Sequence, residues 1–176
     1  MKAYFTLLLG ASLILAQTAW VSALVTNNVP TKPSLPAELE NFLAKAEIFT
    51  LFSLNPHPDV EQKSTNTFAN HAILGQVNIV QATTRASLIS ALNDGIEDAG
   101  LGASGVPSPL PSCFNPRHGI RAKKGDETVE FLICFECAQI QVSSNKGKRW
   151  FLMTNKRPTE IFNQVLRKNG LRLPKN

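Results

Sequence analysis

The familiar signatures of catalysis are missing from this sequence. It has no Gly-x-Ser-x-Gly, no His-Glu-x-x-His, no phosphate-binding loop and no dinucleotide fingerprint. These absences set aside the usual serine hydrolases, zinc peptidases and nucleotide-dependent enzymes. Residues that do chemistry are scarce, with three cysteines, three histidines and one tyrosine in 176 positions. Past the N-terminus no apolar run is long enough to span a bilayer, which takes about 20 residues. No aromatic stacking platform interleaves the basic residues, so nucleic acid is not an expected partner. Charge is only 18% of the chain and hydrophobic residues are 43%, a balance that argues against disorder and provides for a core.

The first residues have the form of a secretory signal. Lys2 precedes an apolar stretch over 4–16, and Val21-Ser22-Ala23 offers small residues for cleavage. Thr6, Ser12, Gln17, Thr18 and Ser22 weaken the rival reading, an uncleaved anchor over 4–25. The expected organisation is a signal peptide over 1–23, an extended leader over 24–35 and one domain over 36–176. The expected location is secreted or periplasmic, with no membrane span after signal removal. No cysteine lies near the cleavage point, so no lipid anchor is expected there.

Charge is divided unevenly. Residues 24–116 hold four Lys or Arg against eight Asp or Glu, net −4, whereas 117–176 hold thirteen against five, net +8. A basic half of this kind attracts anionic partners, here an anionic component of the cell envelope.

Helical spacing of Leu39, Phe42, Leu43 and Ala46 after Pro36 predicts a first helix ending near Lys45. Strands follow over 47–54 and 73–80, the first stopped by the prolines of Asn55-Pro-His-Pro-Asp59. Leu88, Leu92 and Ile96 mark a second helix, capped by Thr83 or Thr84 and reaching Ala99. A hairpin then joins 113–122 to 128–142 through Lys123-Lys-Gly-Asp126, and 149–154 adds another strand. Pro158 opens a last helix that Gly170 ends, after which Leu171 and Leu173 tuck the tail back. Most strands follow one another through short turns. The expected fold is therefore α+β: an antiparallel sheet of about five strands with helices packed on it, built around the long β-hairpin.

The hairpin holds all three cysteines, and it admits three chemistries. Cys134-x-x-Cys137 is the spacing of a thiol redox pair, but its flanks are strand-like, and such a pair needs a helix N-terminus. Cys113, His118, Cys134 and Cys137 are the right ligand types and number for zinc, although this spacing on a regular strand sends two sulfurs to opposite faces. A structural disulfide is the leading reading. With the turn centred on Lys124-Gly125, Cys113 faces Glu136 and Cys137, and a Cys113–Cys137 bridge would close the hairpin. That closure is worth ~3 kcal/mol in the chain-entropy model. A slip of register would instead make Cys134 the partner. Arg117, His118 and Glu136 form a further candidate cluster, in which Glu136 sets the charge of His118 or pairs with Arg117. A hydrogen-bonded core histidine is the plainer reading of His118.

Cys113-Phe-Asn-Pro-Arg-His-Gly-Ile120, a short turn, and then Ile133-Cys-Phe-Glu-Cys137 resembles a motif of uncharacterised exported bacterial proteins and lipoproteins. The similarity runs from the strand at Phe49–Pro56 to the last helix. It implies a secreted or envelope setting and carries no activity. The expected function is thus a non-enzymatic binding or envelope-associated domain. The alternatives are a zinc-binding domain, or a small enzyme using a thiol or the His118–Glu136 pair.

Overall fold

In a computed structural model, the described residues are 32–58, 64–97 and 113–173, with the side chain of Pro58 left aside. The expected signal peptide, most of the leader and the loop over 100–112 lie outside them. Residues from Lys32 onward belong to one compact unit. Its elements are α1 (Ala37–Ala44), β1 (Ile48–Pro58), β2 (Thr67–Phe68), β3 (His71–Asn78), α2 (Ala82–Gly95), β4 (Ile96–Glu97), β5 (His118–Lys124), β6 (Glu127–Cys134), β7 (Gln139–Ser144), β8 (Arg149–Thr154) and α3 (Thr159–Lys168). Among the described residues, no helix is long and apolar enough to cross a membrane.

The class is α+β as expected, but the sheet has eight strands rather than about five. Their order is β2-β3-β1-β5-β6-β7-β8-β4, and the pairings are antiparallel. Three local events account for the difference. The expected strand over 128–142 reverses at residues 135–138, where Ala138 adopts φ 54°, so one strand becomes β6 and β7. The long hairpin is thereby the first part of a meander, β5 to β8. The second helix stops at Gly95 instead of Ala99, and Ile96–Glu97 pairs with the end of β8. Thr67–Phe68 forms a two-residue strand against β3.

Two smaller expectations also change. β1 continues past Asn55 through both prolines, because register shifts after Ser53 and Leu54 release those positions from regular pairing. Gln81 stands at the α2 N-cap without a side-chain bond, so neither threonine caps the helix. Gly170 does end α3: it takes φ 68°, Leu171 N–H donates to Leu166 O and Gly170 N–H to Arg167 O. That pair of bonds is the Schellman arrangement.

Alternation decides the two faces of the sheet. Phe49, Leu51, Ile120, Ala122, Val129, Phe131, Ile133, Ile140 and Val142 point to one side and are buried with helix residues such as Leu39, Leu43, Leu88, Leu92, Phe162 and Leu166. Among the described residues the other side carries no helix. There Phe68 lies over Phe52 and Leu54 as a separate small cluster. The last leader residues also join the domain: Leu35 is buried, and its N–H donates to Asn93 Oδ1 at 2.9 Å.

Gly95 marks the tightest junction. A Cβ there would lie 2.5 Å from Pro158 Cγ and 2.9 Å from Thr154 Oγ1. Gly95→Ala is therefore expected to destabilise the domain by about 1–3 kcal/mol, the usual cost of overpacking a fixed contact. A urea midpoint equal to wild type would show that α2 can shift away from Pro158.

Candidate functional site

Cys134, Cys137, Arg117, His118 and Glu136 gather at one end of the sheet, as the sequence suggested, but their bonding differs from expectation. The disulfide joins Cys134 to Cys137, and Cys113 is free and exposed. The expected Cys113–Cys137 bridge is thus not formed. The β5–β6 register pairs Lys124 with Glu127 and His118 with Ile133, two residues away from the register that would set Cys113 opposite Glu136 and one away from that for Cys137. The reversal at 135–138 then folds Cys137 back toward Cys134. Both bonded cysteines are buried, and Cys137 N–H donates to Cys134 Sγ at 3.1 Å. Asn115 N–H donates to Cys137 Sγ at 3.4 Å, so the arm before β5 still runs beside the pair.

The four-ligand zinc set does not assemble here. Two of its sulfurs are bonded to each other, and His118 Nε2 is engaged by Asn163. Among the described residues no group of three or more His, Cys, Asp or Glu is arranged to hold a metal. The cysteine pair lies in a strand-to-strand turn, not at a helix N-terminus.

His118 projects from β5 to the helix-covered side and is 2% exposed. Its ring meets Phe135 at 5.4 Å and the edge of Phe162 at 5.6 Å. Nε2 lies 2.9 Å from Asn163 Oδ1. An amide oxygen only accepts, so Nε2 carries the proton and Nδ1 is the bare acceptor. Nδ1 is buried without a hydrogen-bond partner. Burial pushes the imidazole down to about 4, opposed by the Asn163 bond and helped by the charge of Arg117. His118 is therefore neutral at ordinary pH. Glu136 is exposed in the turn and forms no hydrogen bond or ion pair among the described residues, so it pairs with neither Arg117 nor His118. The three line one narrow cavity with Asn115, Cys134, Phe135 and Thr159, and only about 10 Å³ of it is open to the centre of a water molecule.

A roomier cavity of about 330 Å³ adjoins this one. Asn55, Pro56 and His57 from the end of β1, Leu74 of β3, Asn115 and Arg117 before β5, and Arg172 and Leu173 after α3 line it. Among the described residues its lining holds two guanidinium groups and no carboxylate. Neither Arg117 nor Arg172 forms an ion pair among the described residues, and Arg117 Nε is buried without a partner. Backbone bonds fix Arg117 across two strands, its N–H to Ile133 O and its carbonyl to Leu54 N–H. Leu171 and Leu173 pack on the core and hold Arg172 between them at the cavity. The Leu-Arg-Leu alternation of the tail predicts the tuck, but no sequence signal marks Arg172 as a cavity residue. The same is true of Asn163, since nothing in a one-dimensional pattern links it to His118.

The face without a described helix offers a broader groove of about 690 Å³ between the β2–β3 turn (Ala69, Asn70) and Arg149 and Phe151 of β8. Its one carboxylate among the described residues, Glu130, is taken by Arg121 Nε at 2.7 Å. Together these features define an α+β domain with one helix-covered sheet face and a basic cavity at the sheet end. No protein-family model, no curated protein and no solved structure matches this chain.

Proposed function

We propose that this chain is an exported, non-enzymatic binding domain that takes an oxyanion, a carboxylate or phosphate of a cell-envelope component, between Arg117 and Arg172. The observation that carries this reading is the convergence of two guanidinium groups, unpaired among the described residues, on a cavity whose described lining has no carboxylate. Guanidinium groups present paired donors that fit planar oxyanions, and an unpaired buried donor gains most from such a partner. Asn55, His57 and Asn115 add polar groups at the same wall, while Leu74 and Leu173 give the remainder of the ligand an apolar side. The net +8 of residues 117–176 supplies long-range attraction for the same ligand sign. The secretory form of the N-terminus and the resemblance to exported bacterial proteins support the setting.

Titration of the ¹⁵N-labelled protein with glycerol 3-phosphate tests it. The expected result is a set of saturable amide shifts at His57, Asn115, Arg117, Arg172 and Leu173, weakened by added salt. Arg172→Ala is expected to weaken binding about ten-fold or more, the scale of a hydrogen bond to a charged group. Shifts scattered over exposed lysines, or none at these residues, would overturn the proposal.

A further inference from the structure

Four observations around the disulfide point to one chemistry. Cys113 is a free, exposed thiol in a chain whose other two cysteines are joined. Its arm is held against the pair, because Asn115 N–H reaches Cys137 Sγ at 3.4 Å. Consecutive Cα atoms are ~3.8 Å apart, so Cys113 Cα stays within roughly 10 Å of that sulfur. Cys134 Sγ already accepts Cys137 N–H, a bond that favours the more electron-rich sulfur. Finally, the cavity that Cys134 lines also holds the buried, unpartnered Nδ1 of His118.

We propose that Cys113, Cys137 and Cys134 form an intramolecular thiol–disulfide exchange system, in which the Cys113–Cys137 and Cys134–Cys137 bridges interconvert. The Cys113 thiolate attacks Cys137 Sγ in line with the existing bond. A Cys113–Cys137 bond forms, the Cys134–Cys137 bond breaks, and Cys134 leaves as the thiolate. The proton given up by Cys113 ends on Cys134. One thiol and one disulfide stand on each side, so no external oxidant or reductant enters. The roles follow from position: Cys113 is the free, accessible thiol and so the nucleophile, Cys137 is the sulfur that the arm reaches, and Cys134 is the buried leaving group. Once protonated, the Cys134 thiol shares its cavity with a buried acceptor that the disulfide form leaves bare, Nδ1 of His118. His118 is thus a positioning residue for the released thiol. The exchange would tie the arm before β5 to the β6–β7 turn and untie the turn from the end of β6.

Thiol mapping on the intact protein decides the matter. The wild-type chain is held at pH 8, quenched in acid, denatured, alkylated and digested, and the labelled cysteine is identified by mass spectrometry. The expected result is label shared between the Cys113 and Cys134 peptides. Their ratio should be reached more slowly as the pH is lowered, since the thiolate is the attacking species. Label on Cys113 alone at equilibrium would overturn the proposal. Cys134→Ser gives an independent reading, because air oxidation should convert its two remaining thiols into a Cys113–Cys137 bridge within one chain. Two persisting thiols, or only dimers between chains, would likewise overturn it. His118→Phe should lower the Cys134-labelled share about five-fold, the effect of losing one ordinary hydrogen bond. An unchanged share would remove His118 from the system.

Discussion

Phe68→Ala is expected to destabilise the domain by about 3–5 kcal/mol, the range for removing a fully buried phenylalanine. Phe68 is one of two residues in a minimal strand, which makes so large an effect unusual for its location. Its ring has 0% exposure and is stacked on Phe52 with centroids 4.6 Å apart. Arg121 lies 5.0 Å from its centroid and 5.5 Å from that of Phe52, adding a cation–π contact to both. Beneath it is Gly119, where a Cβ would come 2.9 Å from Phe68 Cε1. The glycine is needed for close approach, since it lets the ring sit directly on β5. Gly119→Val should therefore displace the same ring from below and cost about 1–3 kcal/mol. In the double variant the added methyl groups enter the space the ring has left, so its loss should be smaller than the sum of the two single losses. Urea denaturation of all four proteins measures this cycle. A loss below 1 kcal/mol for Phe68→Ala would mean that β2 opens independently of the sheet.

The same residues show what one-dimensional pattern conveys and what it leaves out. Val129, Phe131 and Ile133 alternate toward the helices as their spacing indicated, because burial on one face imposes a period of two. Helix α3 and its Gly170 end were equally legible from local chemistry. The reversal at 135–138 was legible only in part: the length of the 128–142 segment predicts a bulge or bend near Glu136, but not a change of direction. Its sequence, Phe-Glu-Cys-Ala, contains neither glycine nor proline, and the left-handed residue is an alanine. Local propensity argues for continued strand there. What holds the turn is the Cys134–Cys137 bond together with Phe135 in the core, both of them tertiary facts. Missing that turn placed Cys137 on an extended arm and so paired it with Cys113. The expectation that separated thiols share one locality does hold, because Asn115 reaches the Cys137 sulfur. The basic cavity was legible only as a charge imbalance: its two arginines are 55 positions apart in the sequence, and convergence depends on how the tail packs after α3.

Acidification should weaken the domain well above the pH at which its carboxylates titrate, and His118 is the main reason. In the unfolded chain a histidine titrates near ~6.5. In the fold, burial among Phe135 and Phe162 holds His118 down at about 4. Between these values the unfolded state binds the proton and the native state does not, so stability rises with pH. The native state is therefore fully favoured above pH ~6.5 and loses stability as the pH falls toward 4. The loss amounts to about 2 kcal/mol by pH 5 and about 3 kcal/mol by pH 4, at 1.36 kcal/mol per pKa unit. His71 acts in the same sense, lowered by burial against the pull of Asn55 O. The exposed carboxylates of Glu38, Asp94 and Asp126 are held low by bonds to Lys148, Lys32 and Lys146, and they lose those partners only at lower pH. Urea midpoints at pH 7.5 and pH 5 measure the effect away from the carboxylate range. His118→Phe keeps an aromatic ring in the cluster and removes the titration, so most of the difference between the two pH values should vanish in that variant. If it persists in full, protonation is being taken up elsewhere, and His118 is not the buried neutral base that its surroundings make it.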